Sequence, residues 1–494
     1  MSKKNDKKIK HLFKALYVSC RSFLGSKKIL KKLISHIVNN QYYYIAALIL
    51  RIFITERLAS GKNRAIYSKS VNCITILALD CDRYRGDLEL LASVPGFRIL
   101  TIRQRWQVLF LGRIYSDIYN LSLDDYFCAV PGNMIYGEVL LAKKFMQEVL
   151  ARLFKIINVD CITTVNYRYI EDLDWTITAE KLGIPYIILY RECLLQKGTR
   201  FYDEVTDRHA KYNFHGSHII VHNDTCKDTF INSAYCKEEN ISVIGALRMD
   251  KYLRTLNERN EKNSRTKRKR KKFVLFYFPY NMSLFGKDSE MPKDYKYKYV
   301  FSVWPERKIL FRDIHVVIAE LAVEYPEIDF VIKPKDIMMR GDSWLFYNEV
   351  LKGIGFNQDK VNNYSIEPYA DVHELILSSN VICGLQSSTV IESAISGLPV
   401  ILPVFKNYRE SENYKDFAWS KYLDLFNVPN NKTHLKEMII ELMDSPFVGD
   451  DVLNKRRILF KKFFNDVNGE SLNKYAKVIT EVAGDRKKYN TPTN

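Results

Sequence analysis

Short runs of consecutive apolar residues recur at 71–79, 98–102, 159–165, 185–190, 218–222 and 241–244. Helical spacing fills the intervals at 88–93, 137–157, 172–182 and 224–233. In the longest of these, Val139, Leu140, Phe145, Val149, Leu150 and Leu153 follow the 3.6-residue repeat. A strand that is apolar throughout is covered on both faces, and strands alternating with helices pair in parallel. A second series follows, with strands at 273–278 and 329–332 and helices at 314–325 and 372–377; helical patterns at 432–443 and 452–464 come last. The pattern predicts two α/β halves, one over 71–255 and one over 273–430, with helices over 431–484. Between the halves, 256–272 reads as a polar, basic linker without core residues.

Within the second half, residues 380–404 carry the most chemical information. They read as a buried strand, a loop of small residues, a helix that opens on hydroxyls, a glycine stop at Gly397 and a second buried strand. Gly384 is expected to let the backbone turn, and Ser387, Ser388 and Thr389 stand where the helix begins. Free N–H groups and the positive end of the helix dipole suit an anion there, most naturally a phosphate. Ser388 and Glu392 are four apart and share a face. The serine is expected at a phosphate and the carboxylate on a hydroxyl pair such as a ribose.

The net charge of +18 is concentrated in two places. Residues 1–32 hold eleven Lys/Arg and one acid, residues 259–272 hold nine and one, and the rest of the chain is neutral. A nucleic-acid binder shows its cations on the folded domain, so nucleic acid is not an expected partner. In 1–60 the apolar positions Ile9, Leu12, Phe13, Leu16, Phe23 and Leu24, then Ile29, Leu30, Leu33, Ile34 and Ile37, lie among lysines. Basic amphipathic helices of this kind suit an anionic membrane surface, the alternative being packing on the protein's own body. The apolar run 42–50 is too short to span a bilayer. Nine cysteines without a C-x-x-C pair read as reduced core thiols, and a cytoplasmic protein, peripheral to the inner membrane face, is expected.

The pattern S-S-T-x-x-E-x-x-x-x-G-x-P over 387–399 resembles the donor-binding segment of GT-B glycosyltransferases, enzymes with two Rossmann-like domains facing a cleft. Gly245-Ala-Leu-Arg248-Met-Asp250, the strand at 274–279 and Ile332-Lys333-Pro334-Lys335 resemble elements of teichoic-acid polymerases and related capsule enzymes, in the same order. The resemblance implies terminal helices that cross back to the first domain. It also implies a nucleotide-sugar substrate held without metal or cofactor, with Lys333, Lys335, Gly384, Gln386, Ser387, Ser388, Thr389 and Glu392 around the donor. Where the glycerophosphate enzymes have the histidine of Lys-Pro-His, Trp-His-Gly, T-D-Y-S-S and F-D, this chain has Lys335, Tyr190-Arg191-Glu192, Gly-Leu-Gln-Ser-Ser over 384–388 and Glu392-Ser393, which favours a sugar donor.

Glycosyl transfer needs a base for the acceptor hydroxyl and a counter-charge for the departing phosphate. Glu192, after the run at 185–190, is the first candidate base and aligns with the histidine of the polyol-phosphate enzymes; Asp80, ending the run at 71–79, is the second. Either could be a structural carboxylate paired with Arg83 or Arg191. Asp80-Cys81-Asp82 and Asp172-Leu173-Asp174 have D-x-D spacing, but the two-Rossmann reading needs no metal. The expected activity is sugar transfer to a surface-polysaccharide or lipid-linked acceptor. The alternatives are a CDP-glycerol-type polyol-phosphate transferase, a nonhydrolysing UDP-sugar 2-epimerase, and a non-catalytic nucleic-acid or scaffold protein.

Overall fold

The computed structural model describes residues 27–65, 73–115, 121–127, 129–133, 135–261, 270–276, 305–335, 339 and 342–489. The first basic apolar stretch and the charge run 262–269 lie outside these residues.

Two sheets organise the chain. The first contains β1 (Thr55–Arg57), β2 (Asn63–Ala65), β3 (Ile74–Ala78), β4 (Phe97–Thr101), β5 (Cys161–Thr164), β6 (Tyr186–Leu189), β7 (His218–Val221) and β8 (Ile241–Val243), in spatial order β2-β1-β4-β3-β5-β6-β7-β8. The strands from β3 to β8 pair in parallel, with Ile76 opposite Ile99 on one side and Leu77 opposite Ile162 on the other. The second sheet contains β9 (Lys271–Phe276), β10 (Ile328–Lys333), β11 (Tyr364–Ile366), β12 (Val381–Cys383) and β13 (Val400–Ile401), in order β11-β10-β9-β12-β13 and parallel throughout. Val, Ile, Leu and Phe at both faces of these strands are buried under flanking helices, as all-parallel sheets require. The chain is thus α/β, with two Rossmann-like lobes.

The N-terminal region differs from expectation. Its described helices, Lys27–Asn39 and Tyr43–Phe53, spend apolar surface on the first lobe. Ile34, Ile37, Val38, Ala46, Ala47, Leu50 and Phe53 share one core with Phe145, Val149 and Leu153 of the Tyr136–Ile157 helix. Residues 55–57 are no helix but β1, which pairs antiparallel with β2 and β4. The pattern concealed it because Thr-Glu-Arg has no apolar alternation; Glu56 is buried against Arg98 at 3.3 Å.

The expected linker over 256–272 is also corrected at both ends. Residues 256–261 continue a helix, Asp250–Glu261, with Leu256 buried in the core, and 271–272 already belong to β9. The helix expected at 314–325 begins at Pro305.

After β13 the chain returns. The Asp450–Phe464 helix packs against the Ser388–Ala394 helix of the second lobe. The Ser471–Tyr489 helix then lies on the first lobe, burying Tyr475, Ile479 and Ala483 with Ile76, Ala78 and Leu247. Among the described residues, no helix is long and apolar enough to cross a membrane, and seven cysteines are free thiols.

Candidate active site between the lobes

Each sheet has a point where the chain reverses its direction of strand addition. In the first, β3 is flanked by β4 and β5; in the second, β9 is flanked by β10 and β12. Loops leaving the carboxyl ends of strands diverge there and open a crevice. The loops of both sheets meet across the lobes: Arg248, after β8, is 3.2 Å from Glu392, and Arg200 Nε is 3.4 Å from Asp416.

The loop after β3 is locally strained. Asp80 and Arg85 both adopt left-handed backbone, with φ of 43° and 49°, a conformation that non-glycine residues rarely hold outside functional turns. Arg191, after β6, holds it in place by donating to the carbonyls of Arg83 (2.9 Å) and Tyr84 and pairing with Asp87 at 3.2 Å. Asp80 itself is buried. Its carboxylate is ion-paired with Arg83, and its N–H donates to Gln107 Oε1 at 2.6 Å. Burial raises its carboxyl against the pull of Arg83. Asp80, expected as the second candidate base, is thus buried and engaged within its own loop by Arg83 and Gln107.

Glu192 stands differently. Its side chain is 44% exposed, and its nearest ionic partner is Arg168 at 3.6 Å, not Arg191. Across from it, Lys335 follows β10. It is exposed; desolvation pushes its ammonium down, Arg85 adds to that, and Glu192 pulls the other way. One carboxylate and two cations from three strand ends thus act on one another across the lobes. Lys333 is turned back, donating to the carbonyls of Pro334 (3.0 Å) and Pro368 (2.8 Å), so the expectation of a donor contact there is corrected to a structural role.

The segment after β12 folds as its sequence implies, although its side chains are engaged within the protein. Ser387 caps the Ser388–Ala394 helix by accepting from Thr389 N, and the Thr389 hydroxyl also donates to it at 2.9 Å. Gln386 spans to the 416–418 loop, donating to Asp416 O at 3.2 Å. Gly384 needs no special backbone; a Cβ there would crowd Val390 at 3.1 Å, so the glycine lets strand and helix approach closely. Ser388 does reach Glu392, as the four-residue spacing requires.

Glu392 is the largest departure. It is 3% exposed, with one carboxylate oxygen 3.2 Å from Arg248 and the other 3.2 Å from His373 Nε2. Burial opposes its charge, but Arg248, His373 and Ser388 outweigh that and hold the carboxyl down to about 2. The expected ribose contact is corrected to a buried bridge between lobes, because both oxygens are occupied. The Gly245–Asp250 motif builds this junction. Arg248 supplies the cation, while Asp250 caps the last helix by accepting from Ser471 N (3.1 Å) and Leu472 N (2.7 Å). His222 lies in the same electrostatic neighbourhood, its imidazole pushed well down by burial and by Arg248 and Arg191.

Sequence reasoning missed Arg85, Arg168 and His373. The D-R-Y-R-G run after a buried strand could have flagged the first; nothing local marked the other two. Among the described residues no group of three His, Cys, Asp or Glu is arranged to hold a metal ion.

No family model matches the chain, and no curated protein does. Solved structures do. The UDP-GlcNAc 2-epimerase of Neisseria meningitidis bound to UDP-GlcNAc is 13% identical over 83% of this chain and 99% of that one, with a TM-score of 0.42. The epimerase of Methanocaldococcus jannaschii is 16% identical over 83% and 99%, at 0.43. The wall teichoic acid polymerase TagF is 13% identical over 86% and 91%, at 0.43. The two-lobed α/β fold of this chain rests on its own topology: β3 to β8 parallel in the first sheet, β9 to β13 parallel in the second, and the lobes joined by Arg248 and Glu392.

Proposed function

We propose that the cleft binds a nucleotide-activated sugar and transfers the sugar to a hydroxyl acceptor. What supports this reading is the placement of Glu192, 44% exposed after β6, and of Lys335, exposed after β10, at strand carboxyl ends in two Rossmann-like sheets, with Arg85 after β3. A diphosphate suits such a rim, the lysine as a point charge and the arginine as a planar fork. The exposed Glu192 carboxylate takes the proton of the acceptor hydroxyl as its oxygen attacks the anomeric carbon. The bond from that carbon to the phosphate oxygen breaks, and the nucleoside diphosphate leaves with the electron pair, its charge met by Lys335 and Arg85. The acceptor in this reading is a growing surface polysaccharide or a lipid-linked saccharide, the class that the resemblance over roughly 160–405 implies.

The nucleotide released is the test. Incubation with UDP-, GDP- and CDP-activated donors and an oligosaccharide acceptor is expected to release a nucleoside diphosphate. Release of CMP from CDP-glycerol would mark polyol-phosphate transfer, and interconversion of a UDP-sugar without release would mark an epimerase. Either result overturns the reading.

A further inference from the structure

The Tyr43–Phe53 helix is apolar but for Arg51 and its tyrosine hydroxyls, yet only its inner face is buried. Ala46, Ala47, Ile49, Leu50 and Phe53 are buried, while Tyr44, Ile45 and Leu48 are 59%, 47% and 40% exposed. Beside it, on the Tyr136–Ile157 helix that it packs along, Leu140 and Leu141 are also exposed. The described surround of this apolar surface is net cationic. Residues 32–53 and 104–115, joined by Arg113 donating to Ser35 Oγ at 2.6 Å, carry Lys32, Arg51, Arg105 and Arg113 and no Asp or Glu, and the Tyr136–Ile157 helix adds Lys143, Lys144, Arg152 and Lys155 against Glu138 and Glu148.

We infer that this outer face docks on an anionic lipid surface. Membrane contact was the expectation for the basic N-terminus, but Leu33, Ile34, Ile37 and Val38 of the Lys27–Asn39 helix pack on the first lobe, so a different face does the work. Eleven residues span only about 16 Å, roughly half a bilayer's hydrocarbon core, so the helix lies along the interface. Tyr42 and Tyr44 suit that depth, each with an apolar ring and a wet hydroxyl, and the cations meet the lipid phosphates. A second copy of the chain fits poorly, because pairing the face with itself would set its cations against each other.

The test is flotation of the full chain with phosphatidylcholine vesicles and with vesicles of equal parts phosphatidylcholine and phosphatidylglycerol. The protein is expected to float with the anionic vesicles. Ile45→Asp with Leu48→Asp is expected to lower the bound fraction about tenfold or more, leaving stabilisation by nucleotide unchanged. Flotation of the double variant equal to the native chain overturns the inference, as does a native chain that does not float. A native dimer that the double variant turns into a monomer, with no lipid binding, shows that a second copy is the occupant and also overturns it. If the double variant does not melt cooperatively, Leu48→Trp serves instead: its emission is expected to shift to the blue on anionic vesicles, and an unmoved spectrum overturns the inference. None of these failures touches the cleft.

Discussion

At the scale of single residues, Glu392 and Glu192 divide two tasks that their sequence contexts do not separate. A buried carboxylate is tolerated when cations and hydroxyls satisfy both oxygens, and removing it strands its partner. The Glu392 carboxyl sits at about 2, against 4.5 for an ordinary glutamate. A group held below its unfolded value contributes stability that is complete above about pH 4.5 and is lost as the pH falls through 2. The contribution at pH 7 is on the order of 3 kcal/mol. Glu392→Gln is therefore expected to unfold more easily in urea at pH 7, with the gap to the native chain closing towards pH 2; a gap that is constant with pH would remove the charge argument. Glu192, being exposed, is expected to matter for rate and not for folding. Glu192→Gln should lower kcat by about 10²–10⁴ while leaving the melting temperature and nucleotide binding intact, and unchanged turnover would exclude it as base. The Ser388–Glu392 contact was legible because helical geometry sets it. The Arg248 partner was not, because 144 residues and two lobes intervene and tertiary packing alone brings them together.

At the scale of elements, the parallel strands were legible because both faces of each are buried, leaving uninterrupted apolar runs. The β1–β2 hairpin was hidden for the opposite reason: Asn-Arg-Ala is the edge strand and Thr-Glu-Arg its neighbour, held by backbone pairing and ion pairs rather than by an apolar run. Within the expected helical span 431–484, the long Ser471–Tyr489 helix was not singled out, because its apolar stripe answers to a surface on the first lobe. One glycine holds that return path. Gly245 has φ of 116°, and a Cβ there would strike the Phe464 carbonyl oxygen, where the Asp450–Phe464 helix ends against β8. Gly245→Ala is expected to cost about 1–3 kcal/mol or more in urea unfolding, through left-handed strain and the displaced helix end. Wild-type stability would mean that the crossover is slack. Removing the Ser387 cap should cost less, about 1 kcal/mol for Ser387→Ala, by the same measurement.

At the scale of the molecule, two Rossmann-like lobes are joined by loops that follow their strands, and the chain crosses between them twice. The junction is built from buried charge: Asp87 with Arg191 on the first lobe, and Arg248 with Glu392 across the lobes. Such pairs contribute little net energy compared with apolar packing, but they fix the relative placement of the lobes and so of Lys335 against Glu192. The most direct test is thermal unfolding of the native chain and of Lys335→Ala with UDP, GDP and CDP. The account predicts that one nucleotide stabilises the native chain by about 2.7 kcal/mol at a hundredfold excess over its Kd. For Lys335→Ala it predicts about tenfold weaker affinity. No shift with any nucleotide, or a variant that responds as the native chain does, would contradict it.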